Sequence, residues 1–207
     1  MKKRFFIDSH KGFTGIIVLI LMAAYNQWDN TTAWVYLALH GSYGLLWNLK
    51  SRIFPDRQWE QSTPLWWGIV YYWGGLTFYL SSAYLITSRG TQVPPWLLAL
   101  AIFLYAIGVF YHFSTDMQKH IALQLQPGKL ITDGMMANTR NLNYWGEFLI
   151  YGSFALLAMH WFPFVFLLGA FFVEWLPNMR RKDQSLSRYP EFSVYKQQTK
   201  RFIPRIW

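Results

Sequence analysis

Apolar residues in this chain come in runs of about 20, separated by short polar stretches. A helix of about 20 apolar residues has the length to cross a hydrocarbon core of about 30 Å. The pattern therefore predicts an all-α, polytopic membrane helical bundle with about six transmembrane helices. The predicted transmembrane helices cover residues 13–28, 32–49, 64–87, 94–115, 143–159 and 162–178.

The C-terminal end of the chain has a different pattern. Only the short turn HWFP separates the last two apolar runs, which predicts an antiparallel helical hairpin. Beyond residue 178 the chain is too polar to span, and its spaced apolar residues predict a cytoplasmic amphipathic tail docked under the bundle. The residues expected in this amphipathic segment are Ser187, Tyr189, Phe192, Tyr195 and Phe202.

Basic residues decide the predicted orientation. With both termini in the cytoplasm and an even number of spans, Arg89 is the one residue among 19 Lys and Arg that lies outside. Such a distribution follows the excess of basic residues on the cytoplasmic side of membrane proteins. The sequence thus predicts one integral, multi-pass membrane domain over residues 1–207, in the inner membrane if the protein is bacterial.

Composition narrows the classes of partner and chemistry. The formal net charge is +9, but the basic residues flank apolar runs, so we assign them to membrane lipid head groups and expect no nucleic-acid partner. The chain contains no cysteine, which excludes thiol catalysis and cysteine-type zinc sites. No metal site is predicted.

Polar residues at helical spacing mark candidate functional faces. In the second apolar run, His40, Gly44 and Asn48 stand four residues apart, with Tyr43 and Trp47 beside them. A polar stripe in a membrane helix either hydrogen-bonds a neighbouring helix or lines a pocket, and the pattern leaves both open.

The fourth apolar run ends in a second such face. Tyr105, His112, Asp116 and either Lys119 or His120 share one side of the helix. An aspartate near the membrane edge is either a functional group or an ordinary interfacial cap.

A third set lies where a turn-rich segment enters the fifth apolar run. Arg140, Asn141, Asn143 and Tyr144 flank a helix N-terminus, whose unpaired N–H groups suit an anionic cofactor. Glu147 follows one turn later and is expected to face a polar cavity. On the last run, one face carries Glu174, Asn178 and Arg181. We predict one shared cavity open to the cytoplasm, with a charged cofactor at its mouth and a lipophilic substrate deeper.

Three segments of the C-terminal half are distinctive: LITDG, TRNLNYWGE and the tail RYPEFSVYKQQTKRFIPRIW. They resemble the C-terminal domain of the steroid 5-alpha-reductase family, which belongs to a superfamily with the sterol C14 reductases and the isoprenylcysteine carboxyl methyltransferases. Upstream, AYLIT, PPWLLALAIFLYAIGVFYHFSTD and LALHGSYGLLW resemble the segments around the reductases' HSD and LHYFHRTF motifs. The resemblance covers about residues 34–207.

This resemblance implies a membrane enzyme in which about residues 105–207 bind NADPH and hydride passes to a C=C bond conjugated to a carbonyl. By position, Asp116, Arg140, Asn143, Tyr144 and Glu147 match the family's cofactor or pocket residues. His112, His120 and Asn178 replace family residues, while Arg181 and Lys182 could supply replacement charge. The implied cofactor-binding set is therefore His112, Asp116, His120, Arg140, Asn143, Tyr144, Glu147, Asn178, Arg181 and Lys182.

The catalytic residues follow the family less closely. The tyrosine of the reductases' LHY motif is Gly41 here, and Tyr43, with His40 as its partner, is the expected acid. Two alternatives stay open: an S-adenosylmethionine-dependent methyltransferase of a lipid or prenylated substrate, and a non-enzymatic lipid-binding membrane protein. The retained Glu147, and Lys182–Asp183 in place of the methyltransferases' acidic pair, favour the reductase.

Overall fold

The computed structural model describes all 207 residues and is all-helical, with seven helices and no β-strand. Short 3₁₀ turns at Arg57–Glu60 and Gly134–Met136 lie in the connections. The helices are α1 (Lys3–Ala24), α2 (Thr31–Ile53), α3 (65–89), α4 (Pro95–Leu125), α5 (Leu142–Leu157), α6 (Phe162–Leu186) and α7 (Phe192–Gln198).

Local sequence explains where several helices begin and end. The side chain of Asn30 accepts a hydrogen bond from the backbone N–H of Ala33 (3.1 Å), which caps α2. Helix α3 ends at Arg89 and is capped by Gly90, whose φ of 61° is the left-handed conformation that glycine adopts readily. Proline starts α4 because a first-turn residue needs no intrahelical N–H donor.

Two helices are not regular α-helices throughout. Helix α3 contains a π-helical segment at Gly68–Gly74 and a 3₁₀ turn at Phe78–Leu80. Helix α6 contains a shorter π-helical segment at Phe171–Trp175. A π-helical turn holds more residues than an α-turn, so the residues on either side of it change face.

The structure corrects several predicted boundaries. Helix α1 starts at Lys3 and not at residue 13, α4 continues to Leu125 and not 115, and α6 continues to Leu186 and not 178. Three helices, α1, α4 and α6, are long and apolar enough to cross a membrane, which indicates a membrane-associated protein. Helix α5 has 16 residues, or about 24 Å, which is shorter than a hydrocarbon core of about 30 Å.

The chain forms two compact units. Unit 1 consists of Met1–Tyr105 and Tyr151–Leu167, and unit 2 consists of Ala106–Ile150 and Leu168–Trp207. Unit 2 falls inside the 105–207 range in which the cofactor part was predicted.

In unit 2, α4 and α5 approach each other backbone to backbone. A Cβ atom added at Gly146 would lie 2.6 Å from both the Gly108 oxygen and the His112 nitrogen. One added at Gly108 would lie 2.7 Å from the Gly146 oxygen. Only glycine allows this contact, which brings the polar residues that follow Gly108 on α4 close to Asn143, one turn before Gly146 on α5.

The tail packs within unit 2. Phe192, Tyr195 and Phe202 are buried, whereas Ser187 is exposed and Tyr189 half-buried. The Phe202 ring lies 5.4 Å from that of Trp145. The amphipathic tail thus buries three of the five predicted residues, and its helical part is limited to α7.

Candidate functional site

A buried lysine forms the centre of a cluster in unit 1. The Lys11 ammonium group donates hydrogen bonds to the hydroxyls of Tyr43 (3.1 Å) and Tyr151 (2.8 Å). It also lies 4.2 Å from the centre of the Tyr43 ring and 4.1 Å from that of Trp47. These four residues, which we call the lysine cluster, are all less than 9% exposed. Aromatic rings attract a cation electrostatically, and more strongly when water is excluded.

The burial of Lys11 was not predicted from the sequence, because Lys11 precedes the first predicted transmembrane helix, residues 13–28. A signal was present in the sequence, because Lys11 lies four residues after Ile7 and seven before Val18, on one helical face. That face is buried in α1 and includes Ile7, Lys11, Thr14, Val18 and Met22.

The two predicted catalytic residues have different contacts. His40 shares a hydrogen bond of 2.7 Å with the Tyr36 hydroxyl, and its ring stacks on Phe154 at 4.3 Å. Tyr43 accepts a hydrogen bond from Lys11 instead. Lys11 is therefore a partner of the Tyr43 oxygen, and the assistance of Tyr43 by His40 stays a prediction.

The rest of the α2 stripe packs on α1. A Cβ atom at Gly44 would collide with the backbone oxygen of Lys11. Asn48 donates to the backbone oxygens of Asp8 (3.1 Å) and Gly44 (2.9 Å). Of the two interpretations left open for this stripe, hydrogen bonding to a neighbouring helix applies to Asn48, which also borders a surface groove.

In unit 2, three predicted residues meet where α4 and α5 pack together. Asn143 donates its side-chain N–H to the Asp116 carboxylate (3.0 Å), and His112 Nδ1 donates to the Asn143 backbone oxygen (3.2 Å). His112 Nε2 lies 4.0 Å from the second Asp116 oxygen. We call these residues the polar cluster. Helical spacing on α4 and the motif on α5 together predicted all three.

Arg140 lies nearby and holds the tail. Its Nε and Nη2 atoms donate to the two carboxylate oxygens of Asp183 (3.0 and 3.2 Å). Its Nη1 atom donates to the Thr199 side-chain oxygen Oγ1 (3.0 Å). The same Nη1 atom also donates to the backbone oxygens of Thr199 (2.8 Å) and Lys196 (3.2 Å). Arg201 also donates to Asp183. Arg140 and Asp183 are buried. We call this group the arginine clamp, and its many internal bonds leave Arg140 little capacity to bind a cofactor.

The clamp extends to neighbouring groups. The Lys182 ammonium donates to the Arg140 backbone oxygen (2.6 Å). The Tyr195 hydroxyl donates to the Met136 backbone oxygen (2.7 Å), and burial raises the pKa of Tyr195 to about 12. Asp183, Tyr195 and Thr199 were not predicted as site residues, because their partners lie 43 to 59 residues away in the sequence.

The other predicted cofactor residues are spread over unit 2. The Tyr144 ring lies 6.1 Å from Trp175, and Glu147 is half-buried one turn further along α5. Asn178 accepts a hydrogen bond from Arg181, which is exposed. His120 shares a hydrogen bond of 2.9 Å with Gln124 on its own helix. The prediction of one shared cavity stays a prediction.

The polar cluster has features that suit part of an anionic nucleotide cofactor. The side-chain oxygen of Asn143 is shielded from solvent and has no hydrogen-bond partner, so it can accept an N–H such as that of a carboxamide. The positive charges of Lys119 and Arg140 act on Lys182, so basic residues are concentrated here. These donors and acceptors fit a phosphate-bearing cofactor without a contribution from the Arg140 side chain.

Comparison with known sequences adds no assignment, since no protein-family model matches the chain and no curated protein matches it significantly.

Proposed function

We propose that the chain is a membrane enzyme that reduces a C=C bond conjugated to a carbonyl in a lipophilic, steroid- or isoprenoid-like substrate, with NADPH as cofactor. In this proposal six helices cross the membrane and both termini are cytoplasmic. The resemblance of TRNLNYWGE and the tail to the steroid 5-alpha-reductase family supports it. The structural observation that carries it is the hydrogen bond from the buried Lys11 ammonium to the Tyr43 hydroxyl.

Unit 1 supplies the acid in this proposal. In this proposal the Tyr43 hydroxyl donates its proton to a substrate carbonyl while its oxygen accepts the hydrogen bond from Lys11. The adjacent cation stabilises the phenolate that remains after proton transfer. The surrounding rings exclude water, which strengthens this electrostatic effect. Lys11 thus takes the supporting role that the sequence analysis gave to His40.

Unit 2 binds the cofactor in this proposal. NADPH supplies the hydride for the β-carbon of the conjugated system. Asn143 holds an amide N–H through its side-chain oxygen, while Asp116 fixes the orientation of the Asn143 side chain. Lys182 and the exposed Arg181 provide positive charge for phosphate groups. The arginine clamp holds this region together and does not contact the cofactor.

Cofactor binding is the first test. The purified protein in detergent is titrated with NADPH and, separately, with S-adenosylmethionine, and thermal unfolding is followed. We expect NADPH to raise the unfolding temperature and Asn143→Ala to abolish the shift. Asn138→Ala is the matched control, because it makes the same change at an exposed side chain in the preceding connection. A shift with S-adenosylmethionine alone would identify a methyltransferase, and no shift with either would favour a lipid-binding protein.

The acid is tested by a pair of tyrosine substitutions. Tyr43→Phe and Tyr151→Phe each remove a hydroxyl that accepts a hydrogen bond from Lys11, but only Tyr43 is assigned as the acid. NADPH oxidation is measured with a panel of steroid and isoprenoid enones. We expect kcat to fall by about 10²–10⁴ in Tyr43→Phe, the range of general acid catalysis, and much less in Tyr151→Phe. Equal losses in the two variants would assign Tyr43 a structural role.

A further inference from the structure

A surface groove in unit 1 has a basic part and an apolar part. It has a volume of about 700 Å³ and lies along α1 and α2. Its lining includes Lys2, Arg4, Phe5, Phe13, Ile16 and Arg52. Such a combination of cations and hydrocarbon surface matches the two parts of a charged lipid.

The basic part carries a net positive charge. Glu60 pairs with Lys2 (2.7 Å) and with Arg4 (2.8 Å), so one carboxylate serves two cations. Arg52 is exposed and makes no ion pair. The carboxylate of Asp8, which also lines the groove, accepts hydrogen bonds from Trp47 and Ser51. Three basic side chains therefore stand against two carboxylates, and both carboxylates are engaged by protein donors.

The apolar part follows one face of α1. Phe5, Phe13 and Ile16 are each at least half exposed, and their spacing places them on one side of the helix. Between them, Gly12 also lines the groove, and a Cβ atom there would lie 3.3 Å from Asn48 Nδ2. Because Gly12 has no side chain, the groove is deeper at this position and has room for an extended hydrocarbon chain.

We propose that this groove binds one anionic phospholipid from the surrounding membrane. Arg52, with Lys2 and Arg4, contacts the phosphate, while an acyl chain lies along Phe13 and Ile16. Helix α1 has the length and apolarity of a membrane-spanning helix, so its exposed apolar face is available to lipid. Basic side chains at such a helix end attract anionic lipid electrostatically.

The chain is suited to a labelling experiment because it contains no cysteine. Ile20→Cys places a fluorophore one turn beyond Ile16 at an exposed position that does not line the groove. The labelled protein is placed in phosphatidylcholine bilayers that contain an equal share of brominated phosphatidylglycerol or brominated phosphatidylcholine, since bromine quenches nearby fluorophores. Phe103→Cys, on an exposed apolar position of α4, is the control.

We expect brominated phosphatidylglycerol to quench the label at Ile20→Cys more strongly than brominated phosphatidylcholine, and both to act equally at Phe103→Cys. Arg52→Gln should lower this preference about fivefold, the effect of one charge near a membrane surface. Arg52→Lys should restore it because the charge is kept. Glu60→Gln should raise it, since Lys2 and Arg4 lose their carboxylate partner.

Three results would overturn the proposal. Equal quenching by the two phospholipids at Ile20→Cys would show an unselective apolar surface. Quenching by brominated oleate in preference to the phospholipid would identify a fatty-acid site. A label quenched by neither phospholipid would mean that protein covers the groove. Because Arg52 and Ile20 are exposed, these variants are expected to fold.

Discussion

Two buried cations, Lys11 in unit 1 and Arg140 in unit 2, are stabilised in different ways, whereas Lys50, also buried in unit 1, pairs with Asp56 (2.8 Å). In unit 1, Lys11 is 5% exposed and lies among aromatic rings and two tyrosine hydroxyls. In unit 2, Arg140 is 4% exposed and donates to the Asp183 carboxylate and to oxygens of the tail. Rings and hydroxyls are neutral, whereas a carboxylate needs a counterion when it is buried. The first arrangement suits a cation that assists chemistry, and the second suits a structural connection.

Arg140→Met gives the largest expected effect. The change removes two hydrogen bonds to the Asp183 carboxylate and leaves Arg201 as its remaining cation in the clamp. Removing one partner of a buried ion pair costs about 3–5 kcal/mol, so the free energy of unfolding should fall by that amount. Thermal and denaturant unfolding in detergent measure it. The double variant Arg140→Met with Asp183→Leu should recover part of the loss, and a loss without such recovery would contradict the clamp.

Lys11→Met is expected to have a smaller effect on stability. The change removes the hydrogen bonds to the Tyr43 and Tyr151 hydroxyls and the cation–ring attraction, which is about 2 kcal/mol for a desolvated site. It also removes the cost of burying the Lys11 charge, and methionine packs well against the same rings. The free energy of unfolding should therefore fall by about 1 kcal/mol, while the proposed enone reduction should fall as in Tyr43→Phe. The unfolding free energies of Lys11→Met and Arg140→Met are measured side by side. If both variants lose the same amount of stability, the two cations have the same role.

The smallest expected effect is a loss of protein stability at alkaline pH, caused by ionisation of Tyr195 beside the clamp. Burial raises the pKa of Tyr195 from 10.0 to about 12, so the folded protein favours the neutral phenol. Its contribution to stability is complete below the unfolded pKa of 10.0 and is lost as the pH rises through about 12. Unfolding temperatures across this interval should decline less in Tyr195→Phe than in the unaltered protein. The same decline in both would show that other groups cause it.

Much of the helical framework could be predicted from the sequence, but its boundaries could not. Apolar runs identify helix interiors because a helix that is buried in lipid or protein needs apolar side chains there. Hydropathy does not indicate how far the helical backbone hydrogen bonds continue. Helices α1 and α4 each extend about ten residues beyond their predicted ends, into more polar sequence. The π-helical segments of α3 and α6 left no signal in the hydropathy pattern either.

The candidate site was predictable where the contacts are local in a helix. His112 and Asp116 are one turn apart on α4, and a single motif contains Arg140 and Asn143. The role of Arg140 was not predictable, because its bonds run to Asp183 and Thr199, 43 and 59 residues away. Lys11 was missed because a basic residue near a helix start usually indicates the membrane interface.

The bonds between Arg140 and Thr199 have a consequence for how the protein is made. Arg140 leaves the ribosome 59 residues before Thr199, and the backbone of Arg140 also pairs with Lys200. Asp183, which is made earlier, can already balance the Arg140 charge, but the neutral acceptors of the clamp are missing until residue 199 is made. Chains interrupted before residue 183 would lack that carboxylate as well and leave the Arg140 charge without its counterion, a feature by which cellular quality control could select them for degradation.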